Sequence, residues 1–188
     1  MRETRGRRKG RSSQTAETRK LLLAAAARQF REKGYAATTL KEIGAVAGID
    51  PASLYYYFAS KEDILEEVLD LGFRQSMDAV ATVCRECEAR GAGFRESFRA
   101  MIHAHLRCIL IEGDFAAATM RNFSTMQGSL RRRHRPSFQA YGDLWVRLLT
   151  TAQATGEVRA DIDLSLLQRL IVGALNWTVE WFDADRYP

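Results

Sequence analysis

Apolar positions recur at helical spacing, not strand spacing, along nearly the whole chain. After Thr15, which can cap a helix, Leu22, Ala26 and Phe30 share one stripe at i, i+4 and i+8, and Gly34 stands where a C′ residue ends that helix. Thr39 followed three residues later by Glu42 is a capping-box pattern. It opens a short amphipathic helix through Leu40, Ile43 and Ala47 that stops at Gly48. Asp50 as N-cap and Pro51 at the first helical position start the next one. There Leu54 and Phe58, four apart, face inward and leave Ala52, Ser53, Tyr56 and Tyr57 pointing away from the core. Ser60 caps a longer helix opened by Lys61, Glu62 and Asp63 that runs through Leu65, Leu69 and Phe73 towards Cys84 and Cys87.

Beyond Gly91 and Gly93, Phe94, Phe98, Met101, Ile102, His105 and Leu106 define a broad apolar face on one helix. Phe115, Met120, Phe123 and Met126 follow on a shorter one. After the basic stretch Arg131–Arg135, Pro136 is expected to restart a helix carrying Tyr141, Leu144, Trp145, Leu148 and Ala152, with Gly156 at its end. Asp163 caps the last helix, which is apolar on most sides between Leu170 and Phe182. Such a helix must be buried on more than one face, so it is expected in a subunit interface as well as in the intrachain core. The pattern predicts an all-α protein.

A length of 188 residues allows one or two small domains, and 46% hydrophobic with 27% charged residues fits a soluble globular chain. No apolar run is long enough for a bilayer, and the first twenty residues hold no secretory h-region, so a cytoplasmic protein without a membrane partner is expected. The net charge of +5 is uneven: eight basic and two acidic residues within 1–20 give +6 there and leave −1 for the other 168. A basic arm on a near-neutral body suits a polyanion, nucleic acid before membrane, although a solubilising tail has the same composition. Three cysteines make no disulfide framework. The Cys84-x-x-Cys87 pair sits in a helical pattern with no second ligand pair, so packing is expected and neither a metal nor a cofactor is.

The two short helices separated by Gly48-Ile49-Asp50 have the dimensions of a helix-turn-helix, whose second helix lies in the DNA major groove. Ser53 can bond a base edge or phosphate, Ala52 can touch a thymine methyl, and the tyrosine hydroxyls and Lys61 can reach phosphates. An ordinary helical hairpin with core aromatics has the same spacing, and on spacing alone both readings stand.

Residues 18–65 bear a closer likeness. Thr18-Arg19, Phe30-Arg31-Glu32-Lys33-Gly34-Tyr35, Thr38-Thr39, Ile43, Gly48-Ile49, Leu54 through Phe58 and Lys61 through Leu65 together resemble the N-terminal domain of TetR-family transcriptional regulators. The resemblance implies a homodimer that binds a palindromic double-stranded operator and releases it when a small-molecule effector occupies the C-terminal domain. It divides the chain into a basic disordered arm (1–14), a helix-turn-helix DNA-binding domain of three helices (15–60) and a C-terminal helical effector-binding and dimerisation domain (61–188). Thr39, Lys41, Ala52, Ser53, Tyr55, Tyr56, Tyr57 and Lys61 fall where family members contact DNA, while Pro51 and Ala52 are small and apolar where some members place polar base readers. The arm can lie along the minor groove or the backbone.

In the second half, Phe98, Met101, His105, Met120, Phe123, Tyr141, Trp145 and Trp177 are the candidate lining of a cavity for a hydrophobic effector, and they suit a packed core equally well. His103, His105, Arg121, Asn122 and Asn176 are the polar candidates to orient a ligand. The stretch from Tyr141 to Trp181 faintly resembles family members that control fatty-acid or sterol breakdown and sense acyl-CoA thioesters. Arg131–Arg135 could meet CoA phosphates, against the plainer reading of a solvated charge run. Family members usually dimerise through their last two helices, and Pro188 follows soon after the eighth predicted here, which implies a reduced interface or a further helix. No G-x-S-x-G, phosphate-binding glycine loop or metal-ligand set is present, so no enzyme is expected. A DNA-binding protein without sequence preference is the remaining rival.

Overall fold

The computed structural model describes residues 3–122, 128–183 and 185–186; Phe123 and Met126, both expected in the effector site or its helix, lie outside them. Among the described residues every regular element is helical: α1 (Glu3–Lys33), α2 (Leu40–Ala47), α3 (Pro51–Tyr57), α4 (Lys61–Ala89), α5 (Phe94–Arg107), α6 (Asp114–Asn122), α7 (Gly128–Ala154) and α8 (Leu164–Trp181). A wide π turn, Cys108–Glu112, prolongs α5.

The local signals for the recognition region act as read. The Thr39 side chain accepts from Glu42 N at 3.2 Å while Glu42 Oε2 accepts from Thr39 N at 2.8 Å, which closes the capping box. Gly48 ends α2 at φ +68°, a left-handed backbone that glycine alone enters without steric cost. Asp50 Oδ1 accepts from Ala52 N at 2.7 Å over Pro51, and Ser60 caps α4.

Two expectations are corrected. Thr15 does not open α1: the backbone is helical back to Glu3, through the stretch expected as a disordered arm. Arg, Lys, Gln and Ala favour that continuation, and no proline interrupts it. Nor does Pro136 start a helix, for it sits inside α7. The proline ring already holds a helical φ, and the Arg132 carbonyl that goes without its N–H partner lies on an exposed stretch where water can satisfy it. The basic run 131–135 is therefore helical.

Leu22, Phe30, Ile43, Leu54, Ile64 and Leu69, each 1% exposed or less, form the core under α1–α4. Helix α6 locks the rest of the chain to it. Asn122 Nδ2 donates to Phe30 O at 3.1 Å and Ala118 O at 2.7 Å, its Oδ1 accepts from Tyr35 N at 2.7 Å, and Arg31 pairs with Asp114 at 2.8 Å. Against α4, α6 comes so close at Gly72 that a Cβ there would lie 2.1 Å from Thr119 Oγ1. A second core gathers Val80, Met101, Leu144 and Trp145 from α4, α5 and α7. Asp163 caps α8 through Ser165 N and Leu166 N, and the outer face of this helix carries Leu166, Leu170, Trp177 and Trp181 at 52–66% exposure. Among the described residues no helix is long and apolar enough to cross a membrane.

Candidate nucleic-acid interface and ligand cavity

Helix α3 is held from below by Leu54 and Phe58, so its other faces meet solvent. Ala52 and Ser53 are exposed, as are Tyr55 and Tyr56 at 65% and 77%, which leaves both hydroxyls free to approach a duplex. Tyr57 is half-buried, packed on the core and edge-on to Tyr56 with ring centroids 5.1 Å apart. Lys41 is exposed on α2, and Thr39 is exposed at its N-cap. Lys61 sits differently from a free phosphate ligand. Its Nζ donates to Tyr35 O at 2.9 Å and Thr38 O at 2.8 Å and lies 4.2 Å from the centre of the Tyr35 ring. Two of its three donors thus hold the α1–α2 loop to the start of α4.

Between α4, α6, α7 and α8 lies a cavity of about 740 Å³. Phe73, Phe138 and Met120 supply apolar wall, and the exposed Arg131, Arg132 and Arg135 line it from the first part of α7. His105, Tyr141 and Asn176 also line it. Of the expected effector residues, His105, Met120 and Tyr141 reach this cavity. Met101 and Trp145 do not, because at 1% and 0% exposure they fill the core beside it, with Phe98 edge-on to Trp145 at 6.2 Å. Trp177 is 66% exposed on α8. Among the polar candidates, His103 is exposed, Arg121 donates to Arg31 O, and Asn122 is the interhelical joint described above. Spacing carries no signal for Ser76 or Gln168, which also face the cavity. Cys84 lies along α4 packed on the second core, and burial pushes its thiol pKa up, as suits a packing residue.

The basic run has two faces. While Arg131, Arg132 and Arg135 line the cavity, Arg133 pairs with Glu66 and His134 Nδ1 lies 3.4 Å from Asp70, both on α4. One position on, Glu67 pairs with Arg19 of α1, whose guanidinium lies 4.7 Å from the centre of the Phe58 ring at the end of α3. A chain of contacts therefore runs from the cavity wall through α4 to the foot of α3.

Known sequences fix the family. The profile of bacterial regulatory proteins of the tetR family matches residues 22–68, and that of the tetracyclin repressor-like C-terminal domain matches residues 91–185. The chain belongs to the TetR family of transcriptional regulators. It is 30% identical over 166 residues to the transcriptional repressor KstR2 of Mycobacterium tuberculosis, covering 86% of this chain and 79% of that one. It is 24% identical over 158 residues to the fatty acid metabolism regulator protein of Bacillus subtilis, with 84% and 79% covered. The solved structure of AibR in complex with isovaleryl coenzyme A and operator DNA superposes with a TM-score of 0.79 at 21% identity, covering 89% of each chain. That likeness extends the TetR fold over both halves of the molecule. This TetR regulator is accordingly a DNA-binding transcriptional regulator with a helix-turn-helix, and every regular element among its described residues is helical.

Proposed function

We propose that this regulator binds a palindromic operator as a homodimer in the cytoplasm and leaves it when a coenzyme A thioester fills the C-terminal cavity. One observation carries the effector class: a cavity of about 740 Å³ with phenylalanine and methionine walls is flanked by three arginines on one helix. Guanidinium groups pair bidentately with phosphate oxygens, and the apolar wall suits an acyl chain. The relatives point the same way, since one regulates fatty acid metabolism and AibR was crystallised with isovaleryl coenzyme A.

Residues 15–60 meet DNA in this reading, with Ser53 and Ala52 at base edges and the Tyr55 and Tyr56 hydroxyls, Thr39 and Lys41 at phosphates. Residues 61–188 bind the effector and pair with a second copy. The bare apolar face of α8 supplies the surface for that pairing, as isologous two-fold contacts require a self-complementary patch. Release is a population shift. Phosphates drawn to Arg131, Arg132 and Arg135 re-aim the first turns of α7, and Arg133 and His134 carry the change to Glu66 and Asp70. Helix α4 then tilts and moves the two α3 helices off the ~34–36 Å spacing of successive major grooves.

A gel shift with the DNA upstream of the protein's own gene tests this. The complex is expected to form on that duplex and not on random duplex at equal salt, and to dissociate with long-chain acyl-CoA but not with free coenzyme A. Indifference to every acyl-CoA would remove the effector assignment, and equal affinity for random duplex would remove the operator.

A further inference from the structure

The cavity is not closed by the chain that builds it. Three residues of its α8 wall, Ser165, Arg169 and Gly173, are exposed, so it opens to solvent along one edge of that helix. The same edge borders the apolar stripe. At about 100° per residue, Leu166, Leu170, Gly173, Ala174, Trp177 and Trp181 fall within one arc of ~100°, and the cavity-lining positions occupy the arc beside it. Gly173 belongs to both. A Cβ there would meet nothing within 4 Å, which leaves a notch in the stripe between Leu170 and Trp177.

The stripe is also symmetric about its midpoint. From the junction of Gly173 and Ala174, Leu170 and Trp177 stand equally far in opposite directions, and so do Leu166 and Trp181. All four are 52–66% exposed. Two copies of α8 crossing antiparallel at that junction, about a two-fold axis, set each leucine against a tryptophan and each glycine against an alanine, as an isologous contact requires. Arg169 and Glu180, both exposed, flank the stripe on its cavity edge, and the same crossing brings opposite charges together along the seam. In such packing a side chain enters a hole framed by four residues of the facing helix. Opposite Leu170, the partner's Trp177 meets the hole framed by Leu166, Arg169, Leu170 and Gly173, and two of these line the cavity.

We infer that the effector site is shared between subunits: the partner's Trp177 fills the notch at Gly173 and forms the outer wall of the cavity, its indole against Arg169 and the apolar part of the ligand. Trp177 thus serves the cavity across the two-fold axis, and in its own chain it stands on the outer face of α8. An indole face attracts a guanidinium within about 6 Å, which holds Arg169 at the mouth. Because each ligand then touches both copies, ligand and partner strengthen each other's binding. This deepens the homodimer and effector readings above and rests on them.

Mixed dimers of the full-length protein test the inference. Two affinity tags isolate a heterodimer in which one chain carries Trp177→Ala and the other Arg132→Ala with Arg135→Ala, and isothermal titration with dodecanoyl-CoA counts its tight sites. Each parent homodimer is expected to bind at least about tenfold more weakly than the wild type. The heterodimer should recover one tight site, because the intact cavity of the first chain receives the second chain's tryptophan. No recovered site overturns the inference, as does wild-type affinity in the Trp177→Ala homodimer, and either result leaves both earlier readings standing. Sedimentation checks that each species is dimeric, and Trp177→Met, smaller but apolar, takes the place of the alanine chain should that one dissociate. The register is tested without ligand. Oxidation should cross-link a chain carrying Leu166→Cys to one carrying Trp181→Cys, whereas Leu166→Cys stands roughly 22 Å from its own mate along the helix and should not link to it. Absence of the mixed cross-link overturns the inference. A monomeric wild type overturns the homodimer reading with it, and a dimeric wild type that ignores dodecanoyl-CoA overturns the effector reading and the shared site together.

Discussion

Alanine at position 72 sets two effects of opposite sign against each other. Gly72 lies inside α4, where alanine is favoured over glycine by about 1 kcal/mol of helix propensity. The added Cβ would lie 2.1 Å from Thr119 Oγ1 and 2.4 Å from Phe115 O, against an ordinary contact of 3.4 Å or more. The threonine hydroxyl already donates to that same carbonyl at 2.8 Å, so neither atom can move aside alone. To restore 3.4 Å from 2.4 Å, α6 must retreat from α4 by about 1 Å, and a gap of that size forfeits a quarter to a half of the van der Waals attraction across it. Overpacking of this kind costs ~1–3 kcal/mol, and breaking the Thr119 hydrogen bond about 1 more. After the propensity gain, Gly72→Ala should destabilise the fold by roughly 2 kcal/mol, a fall in Tm of about 4–8 °C for a chain of this size. Thermal and urea unfolding followed by circular dichroism measure it. Adding Thr119→Ala should recover only part of the stability, because Phe115 O is backbone and stays in place. An unchanged or raised Tm in the single variant refutes the reasoning, and full recovery in the double variant refutes the role given to Phe115.

Four further outcomes are expected. Tyr55→Phe should weaken binding to all duplexes alike and Ser53→Ala should change preference among them, measured by competition gel shifts at fixed salt. Deleting residues 2–11 should lower operator affinity and flatten its dependence on log salt by up to about 0.9 for each phosphate that those residues neutralise; an unchanged slope shows that they touch no DNA. Arg133→Ala breaks an exposed pair, so stability should move by less than about 1 kcal/mol while the effector concentration for half-release rises; unaltered release removes Arg133 from the coupling path. His105 falls from its ordinary 6.5 to about 4 in the folded chain, so the unfolded chain binds the extra proton first and stability drops as pH falls through that window, by up to roughly 3 kcal/mol. Melts of His105→Gln should show a shallower decline, and an identical pH profile contradicts the buried neutral ring.

The recognition half was legible because its signals are local. A cap, a glycine corner and an Asp-Pro start depend on neighbours one to four residues away, and the inward pair Leu54 and Phe58 leaves the outer face of α3 as a remainder. The cavity was legible only in part, since its lining depends on the rotational phase of α7, and that phase follows from α7 running uninterrupted through Pro136. A break there would detach Arg131–Arg135 from the frame of Tyr141; continuity turns three of them to the cavity and two, Arg133 and His134, to α4. Trp145 and Met101 carry the composition of a pocket but sit one layer deeper, a distinction periodicity does not draw. Lys61 reads as a surface cation until the α1–α2 loop folds back and offers it two carbonyls.

The π turn at Cys108–Glu112 also bears on how this chain tolerates change in length. A π turn holds one residue more than an α turn, and it arises when a single residue is inserted into a regular helix. Deleting one residue there would let the turn close as ordinary α-helix with its flanking residues in nearly their present phase, because the wide turn already absorbs the surplus residue. Asp114 would then stay within reach of Arg31. The loss of one residue is therefore accommodated at this turn, whereas the same loss within the α-helical part of α5 would swing everything downstream by about 100° about the axis and force a rebuilt junction between the two halves.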